Sequence, residues 1–528
     1  MGIIFGNRIR SVYQKSRLEE VDSKQAIPVV PRTRRAARPV PVIREEVLGV
    51  KYARFKDLPS EVWNHVVNAF EDCFKALCGN LSDAYASGLE GQLDDLLDKQ
   101  IPETVYKLGR ELMVTVLQRE RGFFGTVLRC DRCENAGLRY ENEPERTIVT
   151  RLGAVKIRRA YYRCACGHSV FPLDTLLGVD GEHSMLPAIQ EVVALMTSRV
   201  PYGEAVETIQ RLLPVRLCQA TAERVTMTVA SRLQEEQERD RQQAFSNPSQ
   251  ATFPTSSPVE ASAVAIVAGD GGMCKIRQQK EYREFKMGVL GWLHPTPNAE
   301  ERAVIENKNY VAHIADVDTL FEHLAVEYHR IGLQQCHKVH FVADGADCYW
   351  NRFDTLAGHN QTISRVLDFY HACEHLTTAK AAIFGDNPMG KVWFESMRTR
   401  LWESRLDSFF KELTRQHRRA TDAQQHERAE AVHSELNYFR ARRRLLRYKE
   451  CRAQGLPIGS GMVEGGIRFV GKDRLDRTGM KWSVPGAEAI LQLRCLDASK
   501  RWEGHFKQRS TTRISSYNHR KTAWLQAS

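Results

Sequence analysis

Ala265-Ile-Val-Ala-Gly-Asp270-Gly-Gly272 is the stretch whose reading decides the fold. The apolar run from Ala263 to Ala268 stops at an Asp-Gly pair, the pattern of a buried strand whose tip turns sharply and leaves the acid at the sheet edge. Val339-His-Phe-Val-Ala-Asp344-Gly repeats the pattern. A third stretch, Leu456-Pro-Ile-Gly-Ser-Gly-Met-Val-Glu464-Gly-Gly, is a glycine-rich turn opening a helix, with Ser460 or Gly461 as the cap and Glu464 in the first turn.

Two aspartates on neighbouring strand tips and a glutamate on a helix packed against them can hold two divalent cations. Hard oxygen ligands suit Mg2+ or Mn2+, and a pair of such ions roughly 3.5–4 Å apart serves phosphoryl transfer. Each acid alone has a plainer explanation: an Asp-Gly is usually a turn, and a glutamate in a first turn favours the helix dipole. The order Asp, Asp, Glu in strand, strand and helix contexts is what joins them into one expected site.

At 528 residues the chain is long enough for three or four domains at about 150 residues each. No apolar stretch approaches the roughly 18–20 residues of a membrane span, and the apolar segment at the N-terminus is too short for a secretory signal. The expected location is the cytoplasm, beside the nucleoid, with no membrane partner. Lysine and arginine number 76 against 65 acids, a net charge of +11 that favours a polyanionic partner. Thirteen scattered cysteines in so large a chain are no disulfide framework, so close pairs are metal ligands first.

In order along the chain, residues 1–50 are basic and dotted with prolines, an arm suited to DNA phosphates. Residues 51–125 carry helical periodicity, a packing or dimerisation unit. Residues 126–183 hold Cys130-Asp-Arg-Cys133 and Cys164-Ala-Cys166-Gly-His168, separated by β-rich segments. Cysteine pairs on two adjacent hairpins give a zinc ribbon with structural Zn2+, in which His168 can replace Cys166. Residues 184–243 form three helices, either a plain bundle or a helix-turn-helix that presents Gln219, Thr221 and Arg224 to a DNA groove. A Ser, Thr and Pro-rich linker spans 244–260.

The catalytic part begins at 261, with strands at 263–268, 283–293, near 302–306 and at 338–345, and a helix at 316–330. Its first half ends at 376. Residues 377–455 are too many and too helical for a loop, and make a helical insertion. The second half, 456–505, is basic near Glu464: Arg468, Lys472, Arg474, Arg477 and Lys481, with Trp482, are expected DNA contacts. A basic tail runs over 506–528.

Five motifs, Gly269-Asp-Gly, Ala343-Asp344-Gly-Ala, Asp368-Phe-Tyr-His371-Ala-Cys-Glu-His375-Leu, Pro457-Ile-Gly-Ser-Gly-Met-Val-Glu464 and Arg477-Thr-Gly-Met-Lys-Trp482-Ser, resemble those of bacterial insertion-sequence transposases of the Kra group. Arg158-Arg-Ala-Tyr-Tyr-Arg163-Cys-Ala-Cys, followed by Phe171-Pro-Leu-Asp174, is similar to that group's zinc-binding region. The tight Cys164-x-Cys166 departs from the group's pattern. The resemblance covers roughly Cys130 to Trp502. It implies a DDE enzyme, multidomain α/β, with an RNase H-like mixed-sheet catalytic domain carrying the insertion. Asp270, Asp344 and Glu464 then ligate Mg2+ or Mn2+, and Asp368 and His371 form an auxiliary Asp-x-x-His element in which His371 positions a phosphate or bonds a metal-ligating carboxylate. The expected function is a transposase that binds double-stranded DNA at element ends and target, works as a homodimer or larger assembly, and performs strand cleavage and strand transfer. The alternatives are a transposase-derived DNA-binding protein without catalysis, or an RNase H-like nuclease that cuts without joining.

Overall fold

The computed structural model describes residues 59–88, 93–133, 137–181, 183–246, 258–277, 282–296 and 304–526, so the basic arm and most of the linker lie outside the described residues. The chain divides into the units Met1–Trp63 and Asn64–Ser528; apart from the first residues of the helix α1 (Ser60–Ala86), all the described elements belong to the second unit. α2 (Ile101–Arg119) places Pro102 in its first turn, where a missing backbone N–H costs nothing.

The cysteine module is a four-stranded antiparallel sheet of order β1-β2-β5-β6, with β1 (Val127–Arg129), β2 (Gly137–Asn142), β5 (Tyr161–Arg163) and β6 (Ser169–Val170). Between β2 and β5 stands a separate hairpin, β3 (Glu145–Thr150) and β4 (Gly153–Arg158), whose alternating Ile148, Val155 and Ile157 pack with Leu117 of α2.

Three helices come next: α3 (Pro187–Arg199), α4 (Tyr202–Leu212) and α5 (Gln219–Ser246). Ile189, Val193, Ile209, Val225 and Val229 form their common core. Gln219 and Arg224 are exposed at the start of α5 and Thr221 is half-buried.

A five-stranded mixed sheet follows. It contains β7 (Val264–Lys275), β8 (Tyr282–Leu293), β9 (Glu306–His313), β10 (Lys338–Ala343) and β11 (Thr362–Leu367), in the order β11-β10-β7-β8-β9. β7, β8 and β9 are antiparallel neighbours, while β10 runs parallel to both β7 and β11. Side-chain alternation splits the core. Ala265, Val267, Phe341 and Ala343 face α6 (Val317–Arg330), where Leu320, Leu324 and Tyr328 cover them. Ile266, Ala268, Met287 and Val342 face the later helices.

Two sequence expectations about this sheet change. The third strand is Glu306–His313 rather than a segment near 302–306. β7 does not stop at Asp270 but continues in register with β8 to the pair Lys275 and Tyr282. The glycines after Asp270 serve close approach rather than a turn: a Cβ on Gly272 would stand 2.2 Å from the ring of buried Phe285, and one on Gly471 would stand 2.3 Å from it.

Beyond β11 the chain is helical: α7 (Phe369–Phe384), α8 (Met389–Trp402), α9 (Leu406–Asp422) and α10 (His426–Ala441). Trp393, Met397, Phe409, Leu413, Leu436 and Phe439 give these helices a core continuous with the sheet. α7 runs unbroken through the boundary expected between 376 and 377. After α11 (Gly461–Gly466) comes α12 (Val484–Ala498), capped by the Ser483 side chain and sharing Ala489, Leu493 and Leu496 with the core of α3 to α5. The expected basic tail is instead a helix, α13 (Trp502–Leu525), whose Tyr517 and Trp524 are buried against the cysteine module.

Candidate active site and cysteine centre

Asp270 lies inside β7, yet level with the point where β10 ends, because Gly269 pairs with Ala343, the last residue of β10. Asp344, the next residue, turns its Oδ1 back to accept the N–H of Ala346 at 3.0 Å. Glu464 sits in the first turn of α11, as its sequence context requires, and is exposed. Its Oε1 accepts the Ser460 hydroxyl at 2.7 Å.

The carboxyl of Asp270 is pushed up to about 6, first by burial and then by the charges of Asp344, Glu464 and Asp368, against one opposing hydrogen bond from Gly271 N–H. Among the described residues no lysine, arginine or histidine pairs with Asp270, Asp344 or Glu464. Neighbouring carboxylates without a counter-ion are the donor chemistry of a hard divalent cation. Their oxygens do not converge as the cysteine sulfurs do: among the described residues, the thiols are the set gathered within 4.8 Å of one another.

Asp368 is 1% exposed and joins the elements that carry the acids. Its N–H donates to Ala343 O at the end of β10, and its Oδ1 caps α7 by accepting the N–H of Tyr370 and His371 at 2.6 and 2.8 Å. Its Oδ2 accepts the N–H of Ser460, at the start of the turn that bears Glu464. His371 does not bond a carboxylate of the triad: its Nδ1 faces Glu374 Oε2 at 3.2 Å, and the ring stands edge-on to His375. His340, which sequence reasoning passed over, ties β10 to the same region. Its Nδ1 faces Ser364 Oγ at 2.9 Å and its Nε2 donates to Pro457 O at 2.8 Å. Burial lowers its pKa to about 4, which keeps the ring neutral. Tyr349 donates its hydroxyl to Asp270 O at 2.7 Å and Trp350 its indole N–H to Asp344 O at 2.7 Å. Neither carries a sequence signal, since aromatic residues after a strand are ordinary core.

The basic residues divide. Arg468, Lys472 and Arg477 line an open groove beside Glu464, and Lys481 is exposed. Arg474 and Trp482 are corrections: Arg474 is 0% exposed and Trp482 6%. Arg474 Nε donates to Thr197 O at 2.9 Å, satisfying a carbonyl in the last turn of α3, and its guanidinium lies 4.7 Å from the Trp482 ring centroid. Trp482 donates its indole N–H to Leu475 O and bridges to Ile276 at the end of β7.

Cys130 and Cys133 lie between β1 and β2, Cys164 and Cys166 between β5 and β6, and the pairing of β2 with β5 sets the two hairpins side by side. A tetrahedral Zn2+ with Zn–S of about 2.3 Å needs sulfurs about 3.8 Å apart. Cys130 and Cys166 Sγ stand 3.8 Å apart, Cys133 and Cys164 3.6 Å, so the four thiols fit zinc. Cys166 Sγ is thus the fourth donor of the cluster. His168 stands outside the set, its Nε2 2.8 Å from Asp131 Oδ1, whose other oxygen accepts from Arg520 of α13.

Residues 90–509 match the model of a family described as Uncharacterised protein family (UPF0236). The chain is similar to the UPF0236 protein in vanSb 3'region of Streptococcus gallolyticus, 21% identical over 378 residues that cover 70% of this chain and 76% of that protein. With the match spanning well over half its length, the chain belongs to that family. No helix among the described residues is long and apolar enough to cross a membrane.

Proposed function

We propose that this member of UPF0236 is a DDE DNA transposase with an RNase H-like catalytic domain, which cuts DNA at the ends of an insertion sequence and joins the freed 3'-hydroxyl to target DNA. The observation that carries the reading is the set of three acids, Asp270, Asp344 and Glu464, which have no counter-ion among the described residues and gather where β10 ends. The mixed sheet, three antiparallel strands followed by two parallel ones, supports this reading. Two Mg2+ or Mn2+ ions bound by the acids would supply Lewis-acid charge for attack on a phosphodiester.

The chain's own residues do the rest. Backbone pairing fixes Asp270 within β7 and ends at Ala343, the residue before Asp344, and Asp368 fixes the turn from which Glu464 projects. The groove residues Arg468, Lys472 and Arg477 hold backbone phosphates next to Glu464, in a groove that Asp473 and Asp476 also line. The cysteine module, once zinc-loaded, and the helices α3 to α5 supply recognition of the ends. Bringing two ends together requires at least a homodimer. The place of action is the nucleoid.

Labelled DNA carrying the flanking ends of the chain's own gene, incubated with Mg2+ or Mn2+, tests this. Wild type cleaves and joins, while Glu464→Gln binds DNA and loses both steps by about a hundredfold or more, because a ligand charge needed in the transition state is gone. Cleavage by Glu464→Gln at the wild-type rate sinks the assignment. Binding without chemistry by a folded, zinc-loaded wild type leaves a DNA-binding protein, and cleavage without joining leaves a nuclease.

A further inference from the structure

We propose that Arg442, in the helical region between the second and third acids, is a positioning residue for Asp344, and that holding Asp344 is one function of that region. The proposal rests on the metal-site reading above. Asp344 is followed by Gly345, whose carbonyl accepts from Arg442 twice, from Nε at 3.1 Å and from Nη2 at 2.6 Å, across 97 positions of sequence. The same Nη2 reaches Asp347 Oδ1 at 2.9 Å. A planar guanidinium with several donors spans such a set of acceptors; an ammonium group does not.

Arg442 is itself held. Its guanidinium carbon lies 4.3 Å from the centroid of the Tyr438 ring, and that ring stacks on His375 with centroids 3.5 Å apart and planes 15° apart. His375 Nδ1 in turn faces Glu435 Oε2 at 2.7 Å. The stack of arginine, tyrosine and histidine joins α7 and α10, and it ends on the backbone of the Asp344 turn. Glycine at 345 is required by the same contact, since a Cβ there would stand 2.4 Å from the Tyr438 hydroxyl.

The turn's geometry is thus fixed at each carbonyl: Asp344 O by the Trp350 indole and Gly345 O by Arg442. Asp344 Oδ1 accepts from Ala346 N–H within the same turn, so the place of the carboxylate depends on how the turn is held. Arg443, the next residue, differs: it extends to exposed Asp407 and has no contact with the turn among its hydrogen bonds.

The experiment is Mn2+ binding by calorimetry to the full, zinc-loaded chain, with hydrogen exchange of the Ala346 amide as a second readout. Arg442→Ala weakens Mn2+ binding about tenfold or more, the usual effect of losing a ligand's supporting hydrogen bonds, and speeds Ala346 exchange. Zinc content stays at the wild-type level. Arg442→Lys, which keeps charge and stem, recovers part of the affinity and serves as the test if alanine unfolds the chain. Arg443→Ala binds as wild type. Arg442 variants that bind Mn2+ and protect Ala346 as wild type does overturn the positioning role alone. A wild type that binds no Mn2+, or binds it as well after Asp344→Asn, overturns the metal site itself.

Discussion

Arg474→Ala separates a buried structural arginine from a DNA contact. The side chain is fully buried, and its guanidinium bonds the Thr197 carbonyl at the end of α3 while lying between Tyr202 and Trp482. Truncation leaves that carbonyl without its partner, at about 1–3 kcal/mol, and vacates volume beside two aromatic rings, at about 2–5 kcal/mol. One effect opposes these losses: burial lowers the Arg474 pKa from 12.5 to about 10, so removing the charge recovers roughly 3 kcal/mol. The net loss is roughly 2–3 kcal/mol, which lowers the melting temperature by a few degrees. Arg474→Met, which keeps most of the volume, costs about half as much. Thermal melting followed by circular dichroism measures the loss, and DNA binding at several salt concentrations supplies the contrast. Lys472→Ala, on the exposed groove, melts as wild type and lowers the salt slope of DNA binding by about one. An Arg474→Ala chain that melts with wild type but binds DNA more weakly refutes the reasoning.

Cys130→Ser should lose the zinc and loosen α13, whose Trp524 packs on the same module; elemental analysis and tryptophan fluorescence check this, and a variant that keeps its zinc counts against the four-thiol site. Stability should fall in acid because His340 has a folded-state pKa of about 4 against an ordinary 6.5. The unfolded chain takes up the proton first, so the contribution is complete above about pH 6.5 and is lost as pH falls towards about 4, by roughly 3 kcal/mol in all. His505, also lowered to about 4, acts in the same window, so the check is the difference between wild type and His340→Gln in urea midpoints at pH 7 and pH 5. Equal slopes in the two proteins remove His340 as a cause.

What the sequence makes legible here is what its physics makes local. Apolar runs fix β7 and β10, glycine and serine fix the start of α11, and a C-x-x-C pair with a C-x-C pair marks the four-cysteine module, because each signal is carried by residues within one turn or hairpin. The errors are equally physical. An Asp-Gly pair has two uses, a turn and a close approach, and only the packing of Phe285 between Gly272 and Gly471 selects the second. A positive charge has no address either: Arg468, Lys472 and Arg477 face solution while Arg474, two positions from Lys472, caps a helix that lies 277 residues away in sequence. The ties that hold the three acids are of this long-range kind. Asp368 reaches Ser460, His340 reaches Pro457, and Arg442 reaches Gly345, each across roughly a hundred residues. All three bonds end on backbone groups, which every residue possesses, so the partner leaves no trace in side-chain identity. Asp368 shows the consequence most clearly. Its motif resembles an auxiliary element expected to help arrange the site, and both its oxygens accept backbone N–H groups, at α7 and at Ser460. Removing it would displace the Glu464 turn relative to β10, and so a loss of function in Asp368→Ala is evidence about the placement of Glu464 and not about a fourth metal ligand.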